Sequence, residues 1–132
     1  MQVGRRTMLA GAVSLIASLS VAGTLDVSML PGEHWWGGAN DFGLKMPFTD
    51  SSSVDIDLRR TNYSNQFASF LVSDKGRYIW CDEQSLISVS NGVIRMTSAK
   101  ASPELAVGGR TLREAFLAAA AKHFPPSGKS PG

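Results

Sequence analysis

Leu86-Ile87-Ser88-Val89-Ser90-Asn91-Gly92-Val93-Ile94-Arg95-Met96-Thr97 decides the fold class of this chain. Two β-prone runs, Leu86 to Ser90 and Val93 to Thr97, flank Asn91-Gly92, the pair best able to adopt the type I′ turn that matches strand twist. The stretch predicts a β-hairpin. A second hairpin is predicted just before it. From Gln66 to Ser73, Ala68, Phe70 and Val72 share one face while Phe67 and Leu71 lie on the other, so both sides of this strand are expected to be covered. Ser73-Asp74-Lys75-Gly76 then supplies turn chemistry before Tyr78, Ile79 and Trp80 resume strand character. Further out, Val54, Ile56 and Leu58 alternate with Asp55, Asp57 and Arg59, as in a half-exposed strand. From Ala39 to Thr49, Gly43 and Pro47 interrupt an aromatic and aliphatic pattern, which leaves strand and ordered loop both open.

Gly108-Gly109 closes the strand region, and Thr111-Leu112-Arg113-Glu114 fits a helix capping box. A helix is expected from about Leu112 to His123, with Leu112, Ala115, Phe116 and Ala119 on one face and Pro125-Pro126 ending it. The whole pattern predicts a mainly β, antiparallel β-sandwich of at least six strands in two packed sheets, with one C-terminal helix.

The chain has 132 residues, room for one ordinary domain. Hydrophobic residues make up 43% and charged residues 18%, which suits a globular protein and argues against wholesale disorder. Residues 1–22 read as an export signal: Arg5 and Arg6 precede an apolar run from Met8 to Ala22 that ends in small residues. Arg5-Arg6-Thr7-Met8-Leu9 is similar to the twin-arginine export pattern, with the general secretory route as the alternative. Ser20-Val21-Ala22 fits a small-x-small cleavage site, with Gly23 a slightly later option. A stable membrane anchor is disfavoured, since a spanning helix needs roughly 20 apolar residues. The expected localisation is exported, periplasmic or extracellular.

Two of the 13 basic residues lie in that signal and none of the 11 acidic ones do, so the mature chain is neutral. With no Lys/Arg cluster it lacks the footprint of a nucleic-acid binder. Cys81 is the single cysteine; it reads as a small buried apolar residue in a strand. The expected organisation is signal 1–22, linker 23–31, β-sandwich 32–110, helix 111–124 and a linker 125–132 that stops short of a further domain.

Chemistry-bearing residues are few. The aromatic stretch Glu33-His34-Trp35-Trp36-Gly37-Gly38, with Asn40 and Asp41 beside it, offers the best binding surface, because indole faces stack on sugar C–H faces and amide and carboxylate groups bond hydroxyls. The competing reading is that Trp35 and Trp36 plug the sandwich end while Gly37-Gly38 let backbones approach. No nucleophile–base arrangement or metal-ligand spacing is evident: the two histidines, His34 and His123, stand far apart and Cys81 lies in an apolar run. Asp55/Asp57 reads as a solvated strand face, and Asp82/Glu83 as the start of a turn. No catalytic residue, metal or cofactor is therefore assigned.

Several motifs occur in order: His34-Trp35-Trp36-Gly37-Gly38, Lys45-Met46-Pro47-Phe48, Asn65-Gln66, Ser73-Asp74-Lys75-Gly76-Arg77-Tyr78-Ile79-Trp80, and Phe124-Pro125-Pro126-Ser127-Gly128-Lys129. From about Gly32 onward the chain resembles the N-terminal region of bacterial glycoside hydrolases of family 31. The resemblance implies a galactose-mutarotase-like sandwich that leads into a (β/α)₈ barrel, which hydrolyses α-glycosidic bonds with retention through two aspartates of its own. It implies two partners for this chain, carbohydrate and the catalytic barrel domain. By position it makes Trp35 to Asp41 the loop that reaches the barrel's pocket, with Trp35, Trp36, Asn40 and Asp41 as substrate-binding residues. The sequence ends before any barrel strand, so the chain is expected to be a fragment that is inactive alone. The alternatives are a free-standing carbohydrate-binding module and a structural domain with no ligand.

Overall fold

A computed structural model describes residues 23–59 and 67–124. It is a sandwich of two four-stranded antiparallel sheets with a single α-helix on one outer face. The strands are β1 (Gly23–Ser28), β2 (Trp35–Ala39), β3 (Val54–Asp57), β4 (Phe67–Ser73), β5 (Arg77–Trp80), β6 (Leu86–Ser90), β7 (Val93–Ser98) and β8 (Glu104–Val107); the helix, α1, spans Leu112–His123. A 3-10 helical segment, Asn40–Lys45, follows β2. Sheet A has the order β1-β7-β6-β3 and sheet B the order β2-β4-β5-β8. Each predicted hairpin forms the centre of one sheet. Contacts of β1 with β8 and of Gly38 with Ile56 set the edges of the two sheets over one another.

The core lies between the sheets. Ile56, Ile87, Val89, Ile94 and Met96 from sheet A meet Trp35, Leu71 and Ile79 from sheet B, all fully buried. At about 25 cal/mol per Å² of apolar surface removed from water, these side chains supply most of the driving force for closure. Strand periodicity sends their neighbours outward, and the two outer faces differ. Sheet A shows water a polar face, where Asp26 and Arg95 pair at 2.7 Å. Sheet B is apolar on its outer side too: Val72, Tyr78, Ala115 and Ala119 form a second buried cluster beneath α1, flanked by Trp36, Phe70, Trp80, Ala106 and Ala118. Leu71 on the inner side and Val72 on the outer side are both buried, so this part of β4 is covered on both faces as its pattern predicts, whereas Ala68 is exposed.

The β6–β7 turn is type I′, with Asn91 at φ 52° and Gly92 at φ 74°, and Ser90 faces Val93 across it. In the β4–β5 turn the Ser73 hydroxyl accepts hydrogen bonds from the amides of Lys75 (3.1 Å) and Arg77 (3.2 Å). The helix start keeps half of the expected capping box. The amide of Glu114 donates to Thr111 Oγ1 at 3.1 Å, but the Glu114 carboxylate accepts from the amide of Arg110, one residue before the cap, at 2.7 Å. Leu112 and Phe116, expected on the buried face with Ala115 and Ala119, lie at its exposed border, while the two alanines face the sheet and are fully buried.

Two expectations need correction, and one left open is settled. Residues 23–31 are not a linker: Gly23–Ser28 pairs along its whole length with β7, and Leu25 and Val27 turn inward while Thr24 and Asp26 face water. The Ala39 to Thr49 stretch, left open between strand and ordered loop, holds a 3-10 segment at Asn40–Lys45 and then a single bridge from Phe48 to Trp35. Trp35 to Asp41 is not a loop, because Trp35–Ala39 is the edge strand of sheet B. Cys81 is buried as expected, one residue beyond β5, with its amide donating to Ser69 O at 2.9 Å. The expected signal, Asn65-Gln66 and the Pro125-Pro126 helix stop lie outside the described residues.

Candidate functional site

Consecutive residues of a strand point to opposite faces, and this rule separates the two tryptophans. Trp35 points into the sandwich and is fully buried. It exchanges backbone hydrogen bonds with Phe48, at 3.0 Å from its amide and 2.8 Å to its carbonyl, and the Arg77 guanidinium lies 5.4 Å from its ring centre. Its indole Nε1 has no hydrogen-bond partner among the described residues. With both ring faces inside the core, Trp35 presents nothing on which a sugar ring stacks. A side chain at Gly37 would stand 2.2 Å from the carbonyl oxygen of Phe70, so this glycine serves the close approach of β2 to β4. Of the two readings of the aromatic stretch, the plug describes Trp35.

Trp36 lies on the outer side of sheet B, half-buried, with its ring centre 6.2 Å from that of His34. The His34 ring Nδ1 lies 2.8 Å from Asp74 Oδ2, and the His34 amide donates to Asp74 Oδ1 at 2.9 Å, so this pair locks the start of β2 to the β4–β5 turn. Beside Trp36 runs a groove of about 370 Å³ lined by Trp36, Val72, Leu112, Arg113 and Phe116. Arg113 and Phe116 come from α1, and no local motif pairs them with Trp36. Asn40 and Asp41 open the 3-10 segment after β2; their side chains lie outside the described positions. The four expected substrate-binding residues therefore do not make one platform, since Trp35 and Trp36 face opposite ways.

Under the β2 end of the sandwich sits a buried ion pair. The Glu33 side chain is 0% exposed and that of Arg77 13%. Arg77 Nε donates to Glu33 Oε2 at 2.9 Å and Arg77 Nη2 to Ser28 O at 2.9 Å, while the Leu30 amide donates to Glu33 Oε1 at 2.9 Å. Burial alone acts to raise the Glu33 pKa. The Arg77 hydrogen bonds, the Leu30 amide and the Ser73 hydroxyl outweigh it and hold the carboxyl below the ordinary glutamate range.

The other notable cluster is aromatic. His123 stacks on Trp80 with ring centres 4.1 Å apart and planes 15° from parallel, and Phe124 meets Trp80 edge-on at 5.0 Å. Trp80 Nε1 donates to Asp82 at 2.7 Å. These contacts fasten the end of α1 to β5. Most carboxylates have structural tasks: Asp26 binds Arg95, Glu104 binds Lys122, and Glu114 caps α1. Among the described residues no three His, Cys, Asp or Glu side chains converge as a metal site, and no helix is long and apolar enough to cross a membrane. No protein-family model matches the chain, and no curated protein is similar to it.

Proposed function

We propose that this chain is the non-catalytic N-terminal sandwich domain of an exported α-glycosidase similar to glycoside hydrolase family 31, which packs on a catalytic barrel and helps shape its sugar pocket. One observation carries the reading. Three of the five motifs behind the resemblance are separate in sequence yet meet around a single residue, Trp35: Phe48 bridges it, Ser73 pairs with it, and Arg77 covers its ring. Motifs that converge on one packed unit are what a fold signature requires. In this reading the pocket-facing element is the Asn40–Lys45 segment, where Leu44 stands fully in solvent. A free-standing carbohydrate-binding module would need the two indoles on a common surface, and Trp35 is inside.

Retaining hydrolysis needs two carboxyl groups about 5 Å apart across a sugar-sized cleft. The purified mature chain is therefore expected to hydrolyse no aryl α-glycoside above background, and the gene region just beyond codon 132 is expected to encode a barrel. Turnover that disappears on mutation of one of this chain's own acidic residues would overturn the non-catalytic reading. A downstream region without barrel-coding sequence in any frame would overturn the parentage.

Export is the second part of the proposal. Replacing Arg5 and Arg6 together with lysine is expected to stop transport through the twin-arginine route, whereas the general secretory route tolerates lysine. Undiminished export of the double variant would exclude the first route.

A further inference from the structure

We infer that the groove between Trp36 and the first half of α1 docks an amphipathic segment of a partner protein, one that sets a bulky apolar side chain beside a carboxylate. The inference stands apart from the glycosidase reading, because it uses only this surface. Apart from Arg113, the walls are apolar: Trp36 and Val72 from sheet B, Leu112 and Phe116 from α1. At about 370 Å³ the groove is at the small end of the roughly 300–1,000 Å³ usual for binding pockets, a size suited to one or two side chains. Leu112 is 37% exposed, Phe116 49% and Leu117 49%, so the apolar surface continues along the helix beyond the groove. Spacing of one helical turn between Leu112 and Phe116 suits the i, i+3, i+4 anchors of a helix laid alongside.

Charge selects the occupant. Arg113 is on the groove rim and exposed, and its side chain has no ion pair or hydrogen bond with the described residues. The carboxylates nearby are already engaged: Glu114 takes the Arg110 amide, and Asp74 takes the ring and amide of His34. Lys122, at the far end of the helix, is paired with Glu104. The exposed border of α1 thus offers a free cation beside apolar surface and no free anion. A partner with a carboxylate next to its anchor satisfies both the groove and Arg113.

The test titrates the purified mature chain with a synthetic peptide about twelve residues long, leucine at i, i+3, i+4 and i+7 and glutamate at most other positions. A second peptide has lysine for each glutamate. The glutamate peptide is expected to shift the Trp36 indole NMR signal and the Phe116 ring signals, and the lysine peptide to bind roughly tenfold more weakly. Arg113→Glu is expected to invert that preference, and Phe116→Ser to weaken both peptides. Arg113 is exposed, so its variant should keep the parent's circular dichroism and melting temperature; Phe116 also meets the Phe70 ring, so Phe116→Ser is compared at a temperature where circular dichroism shows it folded. Equal binding of the two peptides, absence of binding, or an unchanged preference in Arg113→Glu would each overturn the inference. A dimer seen by sedimentation that dissociates on Phe116→Ser would also overturn it, since a second copy would then be the occupant.

Discussion

Gly76→Ala is expected to destabilise the fold by about 3 kcal/mol, a large share of the roughly 5–15 kcal/mol typical of a domain. Two costs combine. Gly76 has φ +83°, a region that disfavours an L side chain by about 1–2 kcal/mol. The new Cβ would also stand 2.1 Å from the Gly109 carbonyl oxygen, 2.4 Å from its carbon and 2.7 Å from the Arg110 nitrogen. All three are backbone atoms, so no side chain can swing aside, and overpacking of this kind costs about 1–3 kcal/mol. The same contact holds the amide of Gly108 2.7 Å from the Gly76 oxygen, so relief of the clash must move either the β4–β5 turn or the segment that leads into α1. Gly32→Ala separates the two costs. Gly32 has φ +73° with nothing within 4 Å of an added Cβ, so its variant should lose only about 1 kcal/mol. Urea unfolding of both variants gives the comparison; equal losses would show that the packing at Gly76 yields without cost.

The second large effect is expected at the Glu33–Arg77 pair. Arg77→Met leaves a carboxylate that is 0% exposed without its cation, and breaking a buried pair in this way costs about 3–5 kcal/mol. Glu33→Leu combined with Arg77→Met removes both charges, so the double variant is expected to be more stable than the sum of the single losses implies. Acid titration provides an independent check. The folded pKa of Glu33 is below that of the unfolded chain, so its stabilising contribution is complete above the ordinary glutamate range and is lost as pH falls through the folded value. Unfolding free energies measured from neutral pH down to about pH 3 should therefore fall less steeply for Glu33→Gln than for the parent. Parallel curves, or an Arg77→Met loss under about 1 kcal/mol, would show that the pair contributes little.

How much of this molecule can be read from its sequence depends on how local the determining physics is. The β6–β7 hairpin is legible because Asn91-Gly92 carries its own turn chemistry, and α1 is legible because Thr111 and Glu114 mark its start. Strand β1 left a weaker sign. The alternation Thr24-Leu25-Asp26-Val27-Ser28 is short and borders an apolar run on one side and Met29-Leu30 on the other, which hides its period. The separation of Trp35 from Trp36 follows from strand period alone, once Trp35–Ala39 is known to be a strand; two glycines within five residues obscure that. The groove beside Trp36 has no local signature at all. Arg113 and Phe116 reach it because α1 folds back over sheet B, a tertiary event that no motif spacing encodes.

The contacts that hold α1 to the sandwich differ in kind along its length, and this gives the molecule a mechanical direction. Its leading end is tied through backbone atoms, where Gly108 and Gly109 press on the β4–β5 turn. Its middle merely rests on the sheet through Ala115 and Ala119. Its trailing end is fastened by flat ring surfaces, His123 on Trp80 with Phe124 alongside, and by the ion pair of Lys122 with Glu104. Tension that lifts Phe124 away from sheet B is borne first by the ring stack and the Lys122–Glu104 pair, then by the alanine seat, and last by the glycine anchor, as tape is peeled from one corner.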